Sequence, residues 1–263
     1  METSPRILRT PGGSRIQIRR YRANECHPRH AHACTTITLL VRGDLEESVG
    51  SRVRVAHPMS VVVKPAGTEH ADVFGPSGAT TLQVTLAAAD VPPGDPGLCS
   101  LGLWRWLDAP AATGVLLDLL RMTTAPSHAG RDEPVLVKDR LCDLLAGLEP
   151  SAVPKVRSAP PWLEGVRSLL EGGEDSIRSI AVRAGVHRVH LAQVFRAHHG
   201  MCPTEYRRRA RLQRAARLVA GTVRPLVEIA YECGFADQAH MTRVLAGALG
   251  ETPGALRRLA GAA

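Results

Sequence analysis

The chain has 263 residues, 44% of them apolar and 22% charged, with 33 Lys and Arg against 25 Asp and Glu and a net charge of +8. That length suffices for two domains with separate cores; no apolar stretch is long enough to span a bilayer and residues 1–10 lack an apolar signal core, so the sequence predicts a cytoplasmic protein with no membrane partner. The six cysteines, at positions 26, 34, 99, 142, 202 and 233, form no CxxC pair and no finger-like spacing, which points away from a zinc module or a disulfide framework and toward reduced thiols.

In chain order, Ile16 and Ile18, Thr36 to Val41, Val53 and Val55, Val61 to Val63, and Leu82, Val84 and Leu86 are short apolar sets separated by Gly, Pro and Asp. They predict strands, and several strands at this spacing predict a sandwich or barrel. Residues 91–96 break into Pro, Gly and Asp and mark its end. Two Leu-rich helical faces follow, Val115 to Met122 and Val135 to Leu148, joined by a polar stretch around Pro126 to Gly130. Leu116, Leu117, Leu120, Leu141, Leu144 and Leu145 exceed what two short helices bury by themselves, so this segment is expected to make a homodimer, with packing on the barrel as the alternative. Consecutive prolines oppose helix continuation, which makes Ser158 to Pro161 a linker. The expected units are therefore 1–95, a strand-built unit, 96–157, a helical connector, and 158–263, a basic helical domain.

That last unit concentrates the charge. From Val156 onward there are 16 basic and 9 acidic residues, so +7 of the net +8 lies in the last 108 residues. Such a bias suits a polyanion, because neutralising phosphates releases condensed counterions; a solvated basic surface is the plain alternative. Here a pattern occurs twice. The first copy has Ile180, Ala181, Gly185, Leu191, Phe195, Gly200 and Pro203, the second Ile229, Ala230, Gly234, Met241, Leu245, Gly250 and Pro253. The small residue lets helices approach, and Gly ends the first helix in a left-handed turn, as a helix-turn-helix requires. A first helix over Trp162 to Leu170 precedes the repeat. Ser176 caps a helix over Ile177 to Ala184, and His187 to Ala197 forms the next. Pro203 opens a long Arg-rich helix from about Thr204 to Ala220, a rod of roughly 22 Å. Pro225 starts the second copy, Asp237 caps its second helix, and Gly250 to Arg258 closes the chain.

The run Gly200-x-x-Pro203-x-x-Tyr206, with Arg211-Leu212-x-x-Ala215, Ile229-Ala230-x-x-x-Gly234-Phe235-x-Asp237-Gln238 and Gly250-x-Thr252-Pro253, resembles the AraC/XylS family of bacterial transcription regulators over about residues 160 to 259. The chain departs from that pattern at His187, where Ser is usual as the cap, at Met241 and Leu245, where Phe is usual, and at Leu256, where Tyr is usual. The resemblance implies sequence-specific binding to promoter or operator double-stranded DNA, with two recognition helices in successive major grooves about 34 Å apart, and RNA polymerase as a further partner. Position by position, the groove-facing residues would be Arg188, Val189, Ala192, Gln193 and Arg196, then Gln238, Ala239, His240 and Arg243. Gln pairs with adenine and Arg with guanine, while Val and Ala pack on a thymine methyl.

The N-terminal half carries His30-x-His32 and Pro65-x-Gly67-x-x-His70. Residues two apart on a strand share a face, and the Pro-Gly turn can bring His70 to the other two. These motifs resemble the two short motifs of the cupin barrel, in which the histidines line the pocket and, in metal-dependent members, join a Glu. Here Thr36 or Ile37 replaces that Glu, with Cys34 a substitute on the same face. Three readings stay open: His30, His32 and His70 bind a small-molecule effector, they bind a divalent metal, or they are hydrogen-bonded in a closed barrel. No paired carboxylates, nucleophile elbow or phosphate loop points to catalysis, so a cupin metalloenzyme with an accessory DNA domain stands second to a regulator. The fold class expected is α+β in two domains, a cupin-like barrel with following helices and an all-α tandem helix-turn-helix.

Overall fold

The computed structural model describes residues 6–91, 104–107, 110–124, 133–148, 159–172, 176–199 and 201–261. The expected break at 92–96, the polar stretch Pro126–Gly130, Ser158, Gly173 and Gly200 lie outside them. Eight strands among the described residues form one antiparallel sheet: β1 (Leu8–Arg9), β2 (Arg15–Tyr21), β3 (Cys26–His30), β4 (Thr36–Val49), β5 (Arg52–Ala56), β6 (Val61–Lys64), β7 (His70–Thr85) and β8 (Arg105–Leu107). Its spine is the pair β4 and β7, which runs from Thr36↔Thr85 to Ser48↔Ala71 and shifts register between Leu40 and Arg42 and again between Gly43 and Leu45. Gly43 adopts φ +80° at this bend, and a Cβ there would collide with the Gly78 carbonyl, so the close crossing of the two strands requires glycine.

The sheet departs from the sequence reading in two ways. Its order, β1-β2-β7-β4-β6-β8 with β3 on β7 and β5 on β4, is a branched path that does not return on itself, so among the described residues the pairing is an open sheet rather than the closed barrel expected. It also takes a strand from beyond the break at 91–96, since β8 pairs with β6 through Val61↔Leu107 and Val63↔Arg105.

One face of the sheet is apolar. Ile16, Ile37, Leu39, Val41, Val61, Val63, Leu82 and Val84 are buried there and must be covered. The cover is α1 (Pro110–Thr124) and α2 (Glu133–Gly147), whose Leu116, Leu117, Leu120, Leu141, Leu144 and Leu145 are at most 4% exposed in the same core. The six leucines on which the expected homodimer rests are therefore buried inside the chain, each gaining about 1.5–3 kcal/mol from intramolecular burial, while Val135 and Leu136 of α2 stay exposed.

Seven further α-helices follow among the described residues: α3 (Trp162–Gly172), α4 (Ile177–Arg183), α5 (Arg188–His199), α6 (Pro203–Gly221), α7 (Leu226–Glu232), α8 (Gln238–Leu249) and α9 (Pro253–Ala260). The first three pack with Phe195 at the centre of their own core, with Leu163, Val166, Leu170, Ile180 and Leu191. The core of α6 to α9, by contrast, is continuous with that of the sheet and α1. Backbone atoms of Leu249 would lie 3.4–3.6 Å from a Cβ at Gly114, and Arg121 Nε lies 2.7 Å from the buried Glu251 Oε1. The second helix-turn-helix is thus seated on the N-terminal half. Among the described residues, no helix is long and apolar enough to cross a membrane.

Candidate functional site

Each helix-turn-helix is built by the same local chemistry. In the first, the Ser176 side chain accepts from the Ser179 N–H to start α4, and Gly185 turns the chain at φ +67°. In the second, Pro225 precedes α7, Gly234 turns at φ +74°, and Asp237 accepts from the His240 N–H at 2.6 Å to start α8. Leu191 and Phe195 of α5, and Met241 and Leu245 of α8, are completely buried. Their burial fixes which face of each helix is left outward. Arg188, Val189, Gln193 and Arg196 on α5, and Gln238, Ala239, His240 and Arg243 on α8, are exposed, while Ala192 is half-buried. All but Ala192 of the residues expected to read bases are therefore solvent-facing. Between the two units runs α6, 19 residues opened by Pro203 at its first turn, about 28 Å long. Its Arg208 is exposed.

Caps differ between the two recognition helices. His187 stands before α5, and its Nδ1 accepts from the Val189 N–H at 3.4 Å, long for such a bond. Asp237 makes the tighter cap, and its negative charge also suits a helix N-terminus.

The histidines converge as the spacing predicted. His30 pairs directly with His70 across β3 and β7, and the ring centroids lie 4.3 Å apart for His30 and His70 and 5.0 Å apart for each of these with His32. His32 sits past the end of β3. The Pro-Gly turn holds it there, because the Gly67 N–H donates to the His32 carbonyl at 2.9 Å. The Nδ1 of His30 donates to the Pro28 carbonyl and that of His70 to the Thr68 carbonyl, each at 2.9 Å. Both rings therefore keep Nε2 as the atom with a free lone pair, and that of His70 is buried without a partner. Burial, then the charge of neighbouring His70 and Lys64, pushes His32 down to about 4; burial and Lys64 lower His70 as well. Neutral imidazole is the form that binds metal.

Sequence reasoning did not find the charged group beside the histidines. Glu47 of β4, Lys64 of β6 and Asp72 of β7 are buried together, with Lys64 Nζ 3.1 Å from Glu47 Oε1 and 3.8 Å from Asp72 Oδ1. Asp72 Oδ2 lies 3.8 Å from His70 Nε2. Burial raises the Glu47 carboxyl, against the opposing pull of Lys64. One nitrogen from each of His30, His32 and His70 lies within 4.8 Å of the others, as do the ligand atoms of Glu47, His70 and Asp72. These carboxylates, and not Cys34, occupy the neighbourhood: Cys34 is exposed and joins none of the clusters among the described residues. The period-two rule placed Asp72 beside His70 in principle; Glu47 reaches it only through the bulged register Glu47↔Asp72.

Two core-anchored helix pairs with outward second helices, joined by one rod, define a tandem helix-turn-helix module. Residues 163–259 match the family model described as a helix-turn-helix domain. A transcriptional regulator of Rhizobium meliloti (strain 1021), the HTH-type regulator GlxA, is 37% identical over 83 residues, which is 32% of this chain and 26% of that protein, so the match spans about a quarter of the relative. The C-terminal part of the chain is thus a helix-turn-helix domain similar to that of a transcriptional regulator. Among solved structures, an AraC-type DNA-binding domain-containing regulator from Chromobacterium violaceum is 30% identical, with 38% of this chain and 92% of that one covered and a TM-score of 0.36. ToxT from Vibrio cholerae is 11% identical over 94% of this chain and 98% of its own, at a TM-score of 0.39.

Proposed function

We propose that the chain is a sequence-specific transcription regulator that binds double-stranded promoter or operator DNA through α5 and α8 and responds to a small molecule held by its N-terminal half. The observation that carries the first clause is the outward placement of Arg188, Val189, Gln193, Arg196, Gln238, Ala239, His240 and Arg243 at the two ends of a single rigid helix. A regulator is favoured over a metalloenzyme because the relative that matches the helix-turn-helix domain is itself a transcriptional regulator. Selection of bound duplexes from a randomised pool tests this, and the result expected is a bipartite motif with half-sites one helical turn apart. Enrichment of no sequence would refute it.

For the sensor we read the N-terminal sheet as cupin-like and assign the effector to His30, His32 and His70. What supports this is the unsatisfied chemistry on that face. Thr36, Thr38, Glu47, His70, Asp72 and Thr81 all carry buried polar atoms without a hydrogen-bond partner, and such atoms are costly unless a ligand or water satisfies them.

A divalent metal is the second reading, favoured by two backbone-oriented imidazoles and the unpartnered Nε2 of His70. The residues fit such an ion: His30, His32 and His70 would hold it, with Asp72 the nearest carboxylate to His70 Nε2. When bound it would supply a positive centre that orients an anionic or carbonyl-bearing effector.

A further inference from the structure

We propose, resting on the reading of α5 and α8 as the two helices that read DNA, that the first helix-turn-helix carries an acid-sensitive switch. Protonation of His199, whose ring belongs to that unit's core, loosens α5 from α3 and α6, so that α5 gives up its half-site at low pH while α8 keeps its own.

The two units are not held alike. The core of α3 to α5 is a small one of its own around the completely buried Phe195, whereas that of α6 to α9 continues into the sheet and α1. A small separate core opens at a lower free energy than one joined to the rest of the molecule, so a charge placed in it acts locally. His199, in the last turn of α5, stands at that core. Its ring centroid lies 4.2 Å from that of Phe195 and 5.7 Å from that of Tyr206 on α6, and Phe195 and Tyr206 meet edge to face at 5.2 Å. Three rings thus tie α5 to α6. The Nε2 of His199 is buried without a hydrogen-bond partner. A neutral imidazole can carry its proton on Nδ1 and leave that atom a bare acceptor, but the imidazolium puts an N–H and a charge there with nothing to receive them.

The charged and titratable groups acting on the ring are Glu164, Arg167 and Glu171 of α3, the neighbouring His198 of α5 and the Tyr206 hydroxyl of α6. Neither carboxylate is an idle counter-charge: Arg167 donates to both, through Nε to Glu164 at 3.0 Å and through Nη1 to Glu171, and Glu171 also accepts from the Tyr206 hydroxyl at 2.7 Å. The end of α5 and the face of Phe195 favour a cation at His199. Burial, then Arg167 and His198, oppose it and hold the imidazole below its ordinary 6.5. Burial pushes the Tyr206 hydroxyl up to about 12, and the bond to Glu164 pushes Arg167 up, so neither changes state in acid. As pH falls, the unfolded unit takes the proton first. The contribution of neutral His199 is therefore complete above 6.5 and is lost as pH drops below it toward the lower folded value. Protonating the exposed His240 has the opposite sign, since it adds positive charge beside phosphates.

Footprinting of the full chain on a selected duplex, as pH falls from about 7.5 to about 5.5, tests the switch, with Gln193→Ala identifying the segment that α5 reads. That segment fades first, by up to about tenfold in affinity per pH unit, the limit for one proton, and the segment read by α8 persists. His199→Phe keeps a ring against Phe195 without a titratable nitrogen, so it binds as the wild type does at neutral pH and holds both segments in acid. His199→Leu gives the same result should thermal denaturation show the Phe variant unfolded. A footprint that is absent or has one segment at neutral pH overturns the reading of α5 and α8, and the switch with it. Two segments that fade together, persistence of both, earlier loss of the α8 segment, or an undiminished loss in the folded His199 variant overturns the switch alone.

Discussion

Replacing the cap of the second recognition helix should weaken DNA binding by a calculable amount. Asp237 is extended, at φ −160° and ψ 173°, and its side chain accepts from the His240 N–H at 2.6 Å. Three residues assigned to the groove, Gln238, Ala239 and His240, fall in the turn that this bond fixes. The far end of α8 is anchored independently by the buried Leu245 and Leu249, so the loss stays in the first turn. An N-cap Asp is worth about 1 kcal/mol, within 0.5–2, against Ala. That corresponds to roughly fivefold in affinity, since about 1.4 kcal/mol is tenfold. Because α8 shares its core with the sheet, the unfolding unit is large and Tm should fall by about 2–4 °C. Removing a carboxylate near phosphates acts in the opposite direction, so the comparison that isolates the cap is Asp237→Ala against Asp237→Asn, which both lose the charge while only Asn still caps. Anisotropy titration of the full chain with a selected duplex reads the ratio. Equal affinity of Ala and Asn variants would refute the reasoning.

At the other helix the change runs in reverse: His187→Ser should replace the 3.4 Å contact with a proper cap and raise stability by about 0.5–1 kcal/mol, measured by thermal denaturation. Gln193→Ala and Arg243→Ala should each relax base preference at one position, by about 1–3 kcal/mol per lost match, whereas Arg208→Ala should weaken all sequences alike; competition titrations with permuted operators separate the two outcomes. His32→Ala or His70→Ala should abolish the effector response while leaving DNA affinity intact. If the site holds metal, mass spectrometry should find it in the wild type and not in either variant. For pH, the folded His32 sits at about 4 against 6.5 for the free imidazole. The unfolded chain takes up the proton first as pH falls, so this contribution to stability is complete above 6.5 and is lost as pH drops toward 4; His32→Gln should flatten thermal stability across that window.

The helix-turn-helix part was legible because its signals are local. Ser176, Asp237 and Pro203 announce helix starts, Gly185 and Gly234 announce turns, and the apolar positions of α5 and α8 repeat at helical spacing. The sheet was legible only where apolar residues alternate. Strand β3 reads Cys-His-Pro-Arg-His and has no apolar signal; with Pro28 in the middle it survives as an edge strand on β7. The first half of β7 is hidden behind Gly75-Pro76-Ser77-Gly78, which reads as a loop and is in fact the bend opposite Gly43. The leucines of α1 and α2 declared an apolar face that needs cover, but amphipathicity does not say whether a sheet, a second helix pair or another chain provides it. The convergence of His30, His32 and His70 followed from motif spacing. The burial of Glu47 against Lys64 and Asp72 depends on two register shifts that no periodicity encodes.

The most direct measurement of the central claim is footprinting of the full chain on a duplex recovered by selection. Two recognition helices held by one rod should protect two major-groove segments about 10 base pairs apart on the same face of the DNA. Gln193→Ala should loosen one segment and Arg243→Ala the other. A single protected groove, two grooves on opposite faces, or one segment affected equally by both substitutions would contradict the tandem reading.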